Sequence, residues 1–303
     1  MKQTTNPPLQ ITNLSKHYGK YRGVENINIK LNHGEVFGFL GPNGAGKSTT
    51  IRTILDFIKP SSGTIEIFGL DSQKESVKIK NYLGYLAGEI ALYPEMTGID
   101  TLKYLTSLGK QTDWDYVDKL SKRLDASLDR PIKSLSKGNV QKIGLIQAFM
   151  HKPDLIILDE PTSGLDPLIK QVFYEIVLEM KNQGKTLFVS SHDLTEVQKI
   201  CDRAAFIRQG RLIAIESVSQ TSSITLRHII MRFKTQPKVK DYSKIAGVSN
   251  VVAKGNQLEL TIKGDLGPLI SALSKNPPID LETQETNLEE IFMHYYQEEP
   301  SND

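Results

Sequence analysis

The chain has 303 residues, 39% hydrophobic and 24% charged, a balance that matches water-soluble globular proteins. Its 37 basic and 35 acidic residues leave a formal net charge of +2 with no long block of either sign, which argues against a nucleic-acid footprint. No apolar run reaches the roughly 18 to 20 residues of a membrane-spanning helix, and MKQTTNPPLQ lacks the apolar core of a secretory signal, so any action on a membrane calls for a partner's helices. The single cysteine, Cys201, has no internal disulfide partner and fits a small apolar filler near a helix end.

Along the chain, Leu9 to Leu14, Gly23 to Leu31 and Glu35 to Leu40 read as strands, the last apolar on both faces like a central strand. A glycine-rich turn leads into a helix over Lys47 to Ile58, ended by Pro60-Ser61-Ser62-Gly63. From about Ser76 to His151 the pattern is mostly helical, with candidates at Ser76 to Leu83, Ile99 to Leu108, Asp113 to Leu124 and Ser136 to Met150. Sheet and helix then alternate: strand Leu155 to Leu158, helix Pro167 to Asn182, strand Thr186 to Ser190, helix Asp193 to Cys201. A hairpin follows around Gln209-Gly210. A polar linker, Glu216 to Ser223, precedes a second rhythm of strands and helices. Strands at Ile224 to Phe233, Val248 to Val252, Gln257 to Ile262 and Ile279 to Thr283 enclose helices at Lys238 to Ala246 and Leu266 to Leu273. That order is the split β-α-β-β-α-β pattern of ferredoxin-like domains, and a last helix is expected at Asn287 to Tyr296.

The chemistry concentrates at three strand ends. Gly41-Pro42-Asn43-Gly44-Ala45-Gly46-Lys47-Ser48 fits G-x-x-x-x-G-K-[ST] between a buried strand and a helix. Glycines let several backbone N–H groups turn inward on phosphate oxygens, and the helix N-terminus adds partial positive charge. In that setting Lys47 reaches the β and γ phosphates and the Ser48 hydroxyl ligates Mg²⁺. Leu155-Ile156-Ile157-Leu158-Asp159-Glu160 delivers two carboxylates at the end of an apolar strand: Asp159 to hold Mg²⁺, Glu160 to polarise an attacking water. Taken alone, each acid would read as a solvated loop carboxylate. His192, also at a strand end, would alone read as structural. Together they read as a phosphoryl-transfer site.

In this order the motifs resemble the ATP-binding cassette (ABC) family over about residues 8 to 218. Gly41 to Thr49 is similar to its Walker A motif, Leu155 to Pro161 to its Walker B, and Ser163 to Asp166 to its D-loop. Ser190 to Asp193 contains the position of its switch histidine. Leu135-Ser136-Lys137-Gly138-Asn139 resembles the LSGGQ signature, with Lys137 in place of a glycine and Asn139 in place of the glutamine. Tyr18 lies where the family stacks an aromatic ring on adenine. Gly84-Tyr85-Leu86-Ala87-Gly88-Glu89 places Gly88 where the family carries a glutamine, and Glu89 reads equally as its substitute or as a solvated loop glutamate. The closing segment Leu288 to Tyr296 resembles that of bacterial ABC-2 type exporter ATPases.

The resemblance implies an α/β P-loop ATPase domain over 1–220, a mixed sheet core with a helical subdomain at about 88–152. A small α+β accessory domain, ferredoxin-like in order, would occupy 221–303. It implies ATP and Mg²⁺ as cofactors. Nucleotide would contact Tyr18, Gly41, Pro42, Asn43, Gly44, Ala45, Gly46, Lys47, Ser48 and Thr49 of one copy. Ser136 and Gly138 would act from the other member of a head-to-tail homodimer or pseudo-dimer, and Asn139 and Asp166 would also contact nucleotide. Ser48 and Asp159 would hold the metal, and Glu160 and His192 would be catalytic. The expected partner is a separate ABC-2 type permease, so the chain would sit on the cytoplasmic face of a bacterial membrane. Rival readings fit less well. Ribosomal relatives carry two cassettes, chromosome-binding relatives carry a long coiled coil, and a GTPase would carry an N-K-x-D motif that this chain lacks.

Overall fold

The computed structural model describes residues 6–109, 112–218 and 226–285, and the chain divides into two compact units, Met1–Glu216 and Ser217–Asp303. The expected helix at 287–296 and most of the expected linker lie outside the described residues.

The first unit holds two sheets. Strands β1 (Gln10–Tyr18), β2 (Tyr21–Lys30), β4 (Ser62–Ile67) and β5 (Leu70–Asp71) form an antiparallel sheet in the order β2-β1-β4-β5. The second sheet is built from β3 (Val36–Leu40), β6 (Leu83–Leu86), β7 (Leu155–Asp159), β8 (Thr186–Ser191), β9 (Arg203–Arg208) and β10 (Arg211–Ser217). It runs β10-β9-β3-β8-β7-β6. Every residue of β3, β7 and β8 is buried, as expected of parallel strands covered on both faces. The Phe188 ring packs between Phe37 and Phe39, with centroids 6.0 and 5.3 Å away.

Two expectations needed correction. Helix α1 (Lys47–Ile54) stops a turn earlier than Ile58, where Asp56 takes a left-handed φ of 58°. The helix expected over Ser76 to Leu83 ends early, at Lys80. Helix α2 (Ser76–Lys80) is short, and Leu83–Leu86 is β6, a parallel partner of β7. Only four residues long, β6 gains its identity from pairing Leu83 with Leu155 far along the chain. Gly84 makes that possible: a Cβ there would stand 2.1 Å from the Ala148 carbonyl of the helix packed on it.

Helices α3 (Gly98–Ser107), α4 (Trp114–Arg123) and α5 (Lys137–Phe149) follow. Each begins at a capping side chain legible in the sequence: Thr97, Asp113 and Ser136 accept from the amides of Asp100, Tyr116 and Asn139. Helices α6 (Pro167–Asn182) and α7 (Leu194–Ile200) start the same way at Asp166 and Asp193, and Pro167 sits in the first turn of α6.

The second unit is one antiparallel sheet of β11 (Leu226–Arg232), β12 (Val248–Lys254), β13 (Gln257–Lys263) and β14 (Asp280–Glu285) in the order β12-β13-β11-β14. Helices Val239–Tyr242 and Gly267–Leu273 provide the two crossovers. The ferredoxin-like order read from the sequence is therefore present. Its core joins Ile229, Met231 and Phe233 of the β11 side to Leu258, Leu260 and Ile262 of β13, with Tyr242 and Leu269 from the helices.

Candidate functional site

Parallel strands put their C-terminal ends on one edge, and three of them carry the chemistry. Register pairs Leu40 of β3 with Ser191 of β8, and Ser190 of β8 with Asp159 of β7. The residues that follow, Gly41, His192 and Glu160, therefore emerge side by side at the mouth of the sheet, where ligands of open α/β sheets bind.

Gly41 to Gly46 curl between β3 and α1. Gly46 is left-handed (φ 109°), and a Cβ there would lie 2.6 Å from Val24, so only glycine fits. At Gly41 a Cβ would meet the Ile207 carbonyl at 2.3 Å. The β9–β10 turn buttresses the loop, because the Gly210 amide donates to the Ala45 carbonyl (2.9 Å). Lys47 is buried and folds back over the loop. Its ammonium donates to the carbonyls of Gly41 (2.6 Å) and Pro42 (3.2 Å) and stands 3.1 Å from Glu160 Oε1. The ammonium is aimed at the carbonyls, so that Glu160 oxygen has a charge partner without a directed hydrogen bond.

A cavity of about 360 Å³ opens over the loop, walled by Tyr18, Arg22, Gly44, Lys47, Ser48 and Glu160 among others. Tyr18 ends β1 half-exposed, and the Gly23 backbone lies tight against its ring: a Cβ on Gly23 would be 2.9 Å from Tyr18 Cε2. The ammonium of Lys16 sits 5.3 Å from the same ring's centroid. Arg22, which the sequence reading passed over, joins this wall and pairs with Glu25 (3.3 Å).

Asp159 is 4% exposed and accepts from Ser190 Oγ at 2.5 Å. Glu160, the next residue, is left-handed (φ 50°), and this turn swings its carboxylate over Lys47. Its other oxygen meets His192 Nδ1 at 2.7 Å, and its amide donates to Ser190 Oγ at 3.1 Å. Gly88 lies beside Asp159: a Cβ there would be 3.2 Å from Asp159 Oδ2. Glu89 is exposed, as a solvated loop glutamate would be. Burial, helped by the Asp159 charge, pushes the Tyr85 phenol up to about 12.

Ser136, Gly138, Asn139 and Asp166 are not walls of this cavity. Ser136, Gly138 and Asn139 gather instead at the N-terminus of α5. Gly138 touches the 163–166 turn so closely that a Cβ would be 2.7 Å from the Gly164 carbonyl. Asn139 spends its amide locally, accepting from the Ser127 amide and donating to the Ser127 carbonyl, both at 2.8 Å. Asp166 caps α6, accepting from the Leu168 and Ile169 amides at 3.1 Å. Buried Gln141 donates to the Pro161 carbonyl (2.9 Å) and so ties α5 to the segment after Glu160. Neither Gln141 nor Glu196, buried behind Ser191 and Thr162, was singled out from sequence. Capping serines and acids are visible locally, whereas a buried polar residue on a helix looks like any surface one.

A phosphate loop after a central parallel strand, with two carboxylates and a histidine on neighbouring strand ends, defines a P-loop nucleoside triphosphatase. The family model for "ABC transporter" matches residues 24–163. The linearmycin resistance ATP-binding protein LnrL of Bacillus subtilis is 32% identical over 303 residues, covering 94% of this chain and 97% of that protein. The ABC transporter ATP-binding protein NatA of the same organism is 36% identical over 220 residues, covering 69% and 89%. Among solved structures, an ATP binding subunit of an ABC transporter superposes with a TM-score of 0.65 at 29% identity, over 71% of this chain and 92% of that one. The chain belongs to the ABC transporter ATP-binding family. It is an ATP-binding, ATP-hydrolysing subunit, and subunits of this family dimerise and pair with a membrane permease. Among the described residues, no helix is long and apolar enough to cross a membrane.

Proposed function

We propose that this chain drives export through a separate ABC-2 type permease, from the cytoplasmic face of the membrane. In this reading residues 1–220 form the motor, with its helical subdomain at about 88–152, and 221–303 form an accessory domain. The observation that carries the hydrolytic assignment is the convergence of Lys47, His192 and Glu160, with Glu160 contacting both of the others. The likeness to a resistance ATP-binding protein supports export as the direction.

ATP lies in the cavity over Gly41 to Thr49, its adenine against Tyr18 and its phosphates on the loop amides. Lys47 exchanges its carbonyl partners for phosphate oxygens. Glu160 orients a water and takes its proton, and His192 holds Glu160 from the opposite side and meets the γ-phosphate. The oxygen donors Ser48 and Asp159 suit Mg²⁺, and the space beside Gly88 leaves Asp159 Oδ2 unobstructed by a side chain. Bound there, Mg²⁺ would neutralise charge on the β and γ phosphates. The second copy presents Ser136, Gly138 and Asp166 to the same nucleotide, so ATP bridges the pair and hydrolysis releases it.

The test is Glu160→Gln in the purified full chain. The expected result is ATP binding kept, phosphate release stalled and a dimer that persists with ATP on size exclusion. Turnover at the unsubstituted rate would overturn the assignment. Co-purification with a polytopic membrane protein tests the permease half of the reading.

A further inference from the structure

One buried acid has no part in that scheme. Glu196 lies in the first turn of α7 and is 1% exposed. Its Oε2 accepts from Ser191 Oγ (2.6 Å) and from Thr162 Oγ1 (3.4 Å). Its Oε1 is buried without a hydrogen-bond partner. Ser191 immediately precedes His192, and Thr162 stands two residues after Glu160. One carboxyl group thus joins the backs of the two segments whose fronts meet in the 2.7 Å contact of Glu160 with His192.

We infer that Glu196 is a positioning residue that, in its neutral form, clasps the Ser191 and Thr162 segments together and so sets the Glu160–His192 geometry for hydrolysis. The inference rests on Glu160 and His192 being the hydrolytic pair.

The surroundings favour the neutral form. The charged and titratable groups acting on or near this carboxyl are Asp193 at the cap of its own helix, Glu160 from the end of β7, Tyr174 from α6, and the Cys201 thiol beyond α7. None is a cation, and the nearby Lys199 ammonium sits over the Tyr174 ring, 5.4 Å from its centroid. Burial first, then the carboxylates of Asp193 and Glu160, push Glu196 up to about 7, against the stabilising hydroxyl of Ser191. A proton on the carboxyl leaves Oε1 as a neutral orphan. Its loss puts half a charge on an oxygen with no donor, facing two like charges. Leaving the seam for water relieves this, and doing so releases both hydroxyls.

The experiment measures kcat and KM for ATP from about pH 6 to pH 9 for the full chain, Glu196→Gln and Glu196→Ala, beside Glu160→Gln. The unsubstituted chain is expected to lose kcat as pH rises past about 7. Glu196→Gln, neutral at every pH, should keep its kcat and lose that alkaline decline. Glu196→Ala should lower kcat about tenfold to a hundredfold with KM unchanged, the size of effect small misplacements produce. A Glu196→Gln profile that falls with pH like the unsubstituted chain would sink the inference, as would an unchanged kcat in Glu196→Ala. If Glu196→Ala does not fold, the Glu196→Gln profile decides alone. Stalled Glu160→Gln with unaffected Glu196 variants would defeat this inference only. An active Glu160→Gln would defeat the assignment beneath it.

Discussion

At the scale of single residues, the site is a set of close approaches that charge and size both constrain. Lys47 already balances Glu160 and two carbonyls, so Lys47→Ala removes the one buried cation at the loop. ATP affinity should fall by more than about tenfold, read by titration with a fluorescent ATP analogue. Tyr18→Ala should weaken the same binding by about 1 to 3 kcal/mol through lost stacking. Glu196 adds a stability signature. A free glutamate ionises near the ordinary value of 4.5, whereas the folded chain keeps this proton up to about 7. Between those values the folded state binds more protons than the unfolded one, so stability falls as pH rises through that window and the full penalty is present above it. Glu196→Gln escapes the penalty. Its Tm advantage should be near zero at about pH 4.5 and grow to a maximum above about pH 7, followed by thermal scans across that range.

At the scale of elements, helix starts were legible because caps are local: Asp166-Pro167, Asp193 and Ser136 announce α6, α7 and α5. β6 was not legible. Leu83-Gly84-Tyr85-Leu86 has too few residues to show a period, and its partner β7 begins at Leu155. Gly84 is the exposed nerve of that arrangement. Gly84→Val would drive a side chain into the Ala148 carbonyl, separate α5 from β6, and cost about 1 to 3 kcal/mol, measurable as a lower midpoint in urea. Asn139 shows a side chain whose place within the chain only the fold reveals: it stands in the signature segment, and its amide staples the Ser127 loop to α5.

At the scale of the whole molecule, the two units each have a core of their own, one around Phe37, Phe39 and Phe188 and one around Met231, Phe233 and Leu260. A fragment of residues 1–218 should therefore fold and bind ATP with an affinity within about threefold of the full chain, checked by circular dichroism and the same titration. Loss of folding in that fragment would mean that the first unit depends on the second. Dimerisation of the fragment with ATP, compared with the full chain, reports what the second unit adds to assembly.

The sequence by itself determined the phosphate loop, the acids of Asp159 and Glu160, the cap at Ser136 and the alternation of the second unit. These are contiguous runs whose backbone chemistry is complete within a dozen residues or so. Tertiary structure alone decided which groups meet. The parallel register of β3, β8 and β7 sets Gly41, His192 and Glu160 side by side, and burial turns Glu196 from a helix-surface acid into a clasp. Distance between strand ends and exclusion of water are properties of the packed chain, so no local pattern carries them.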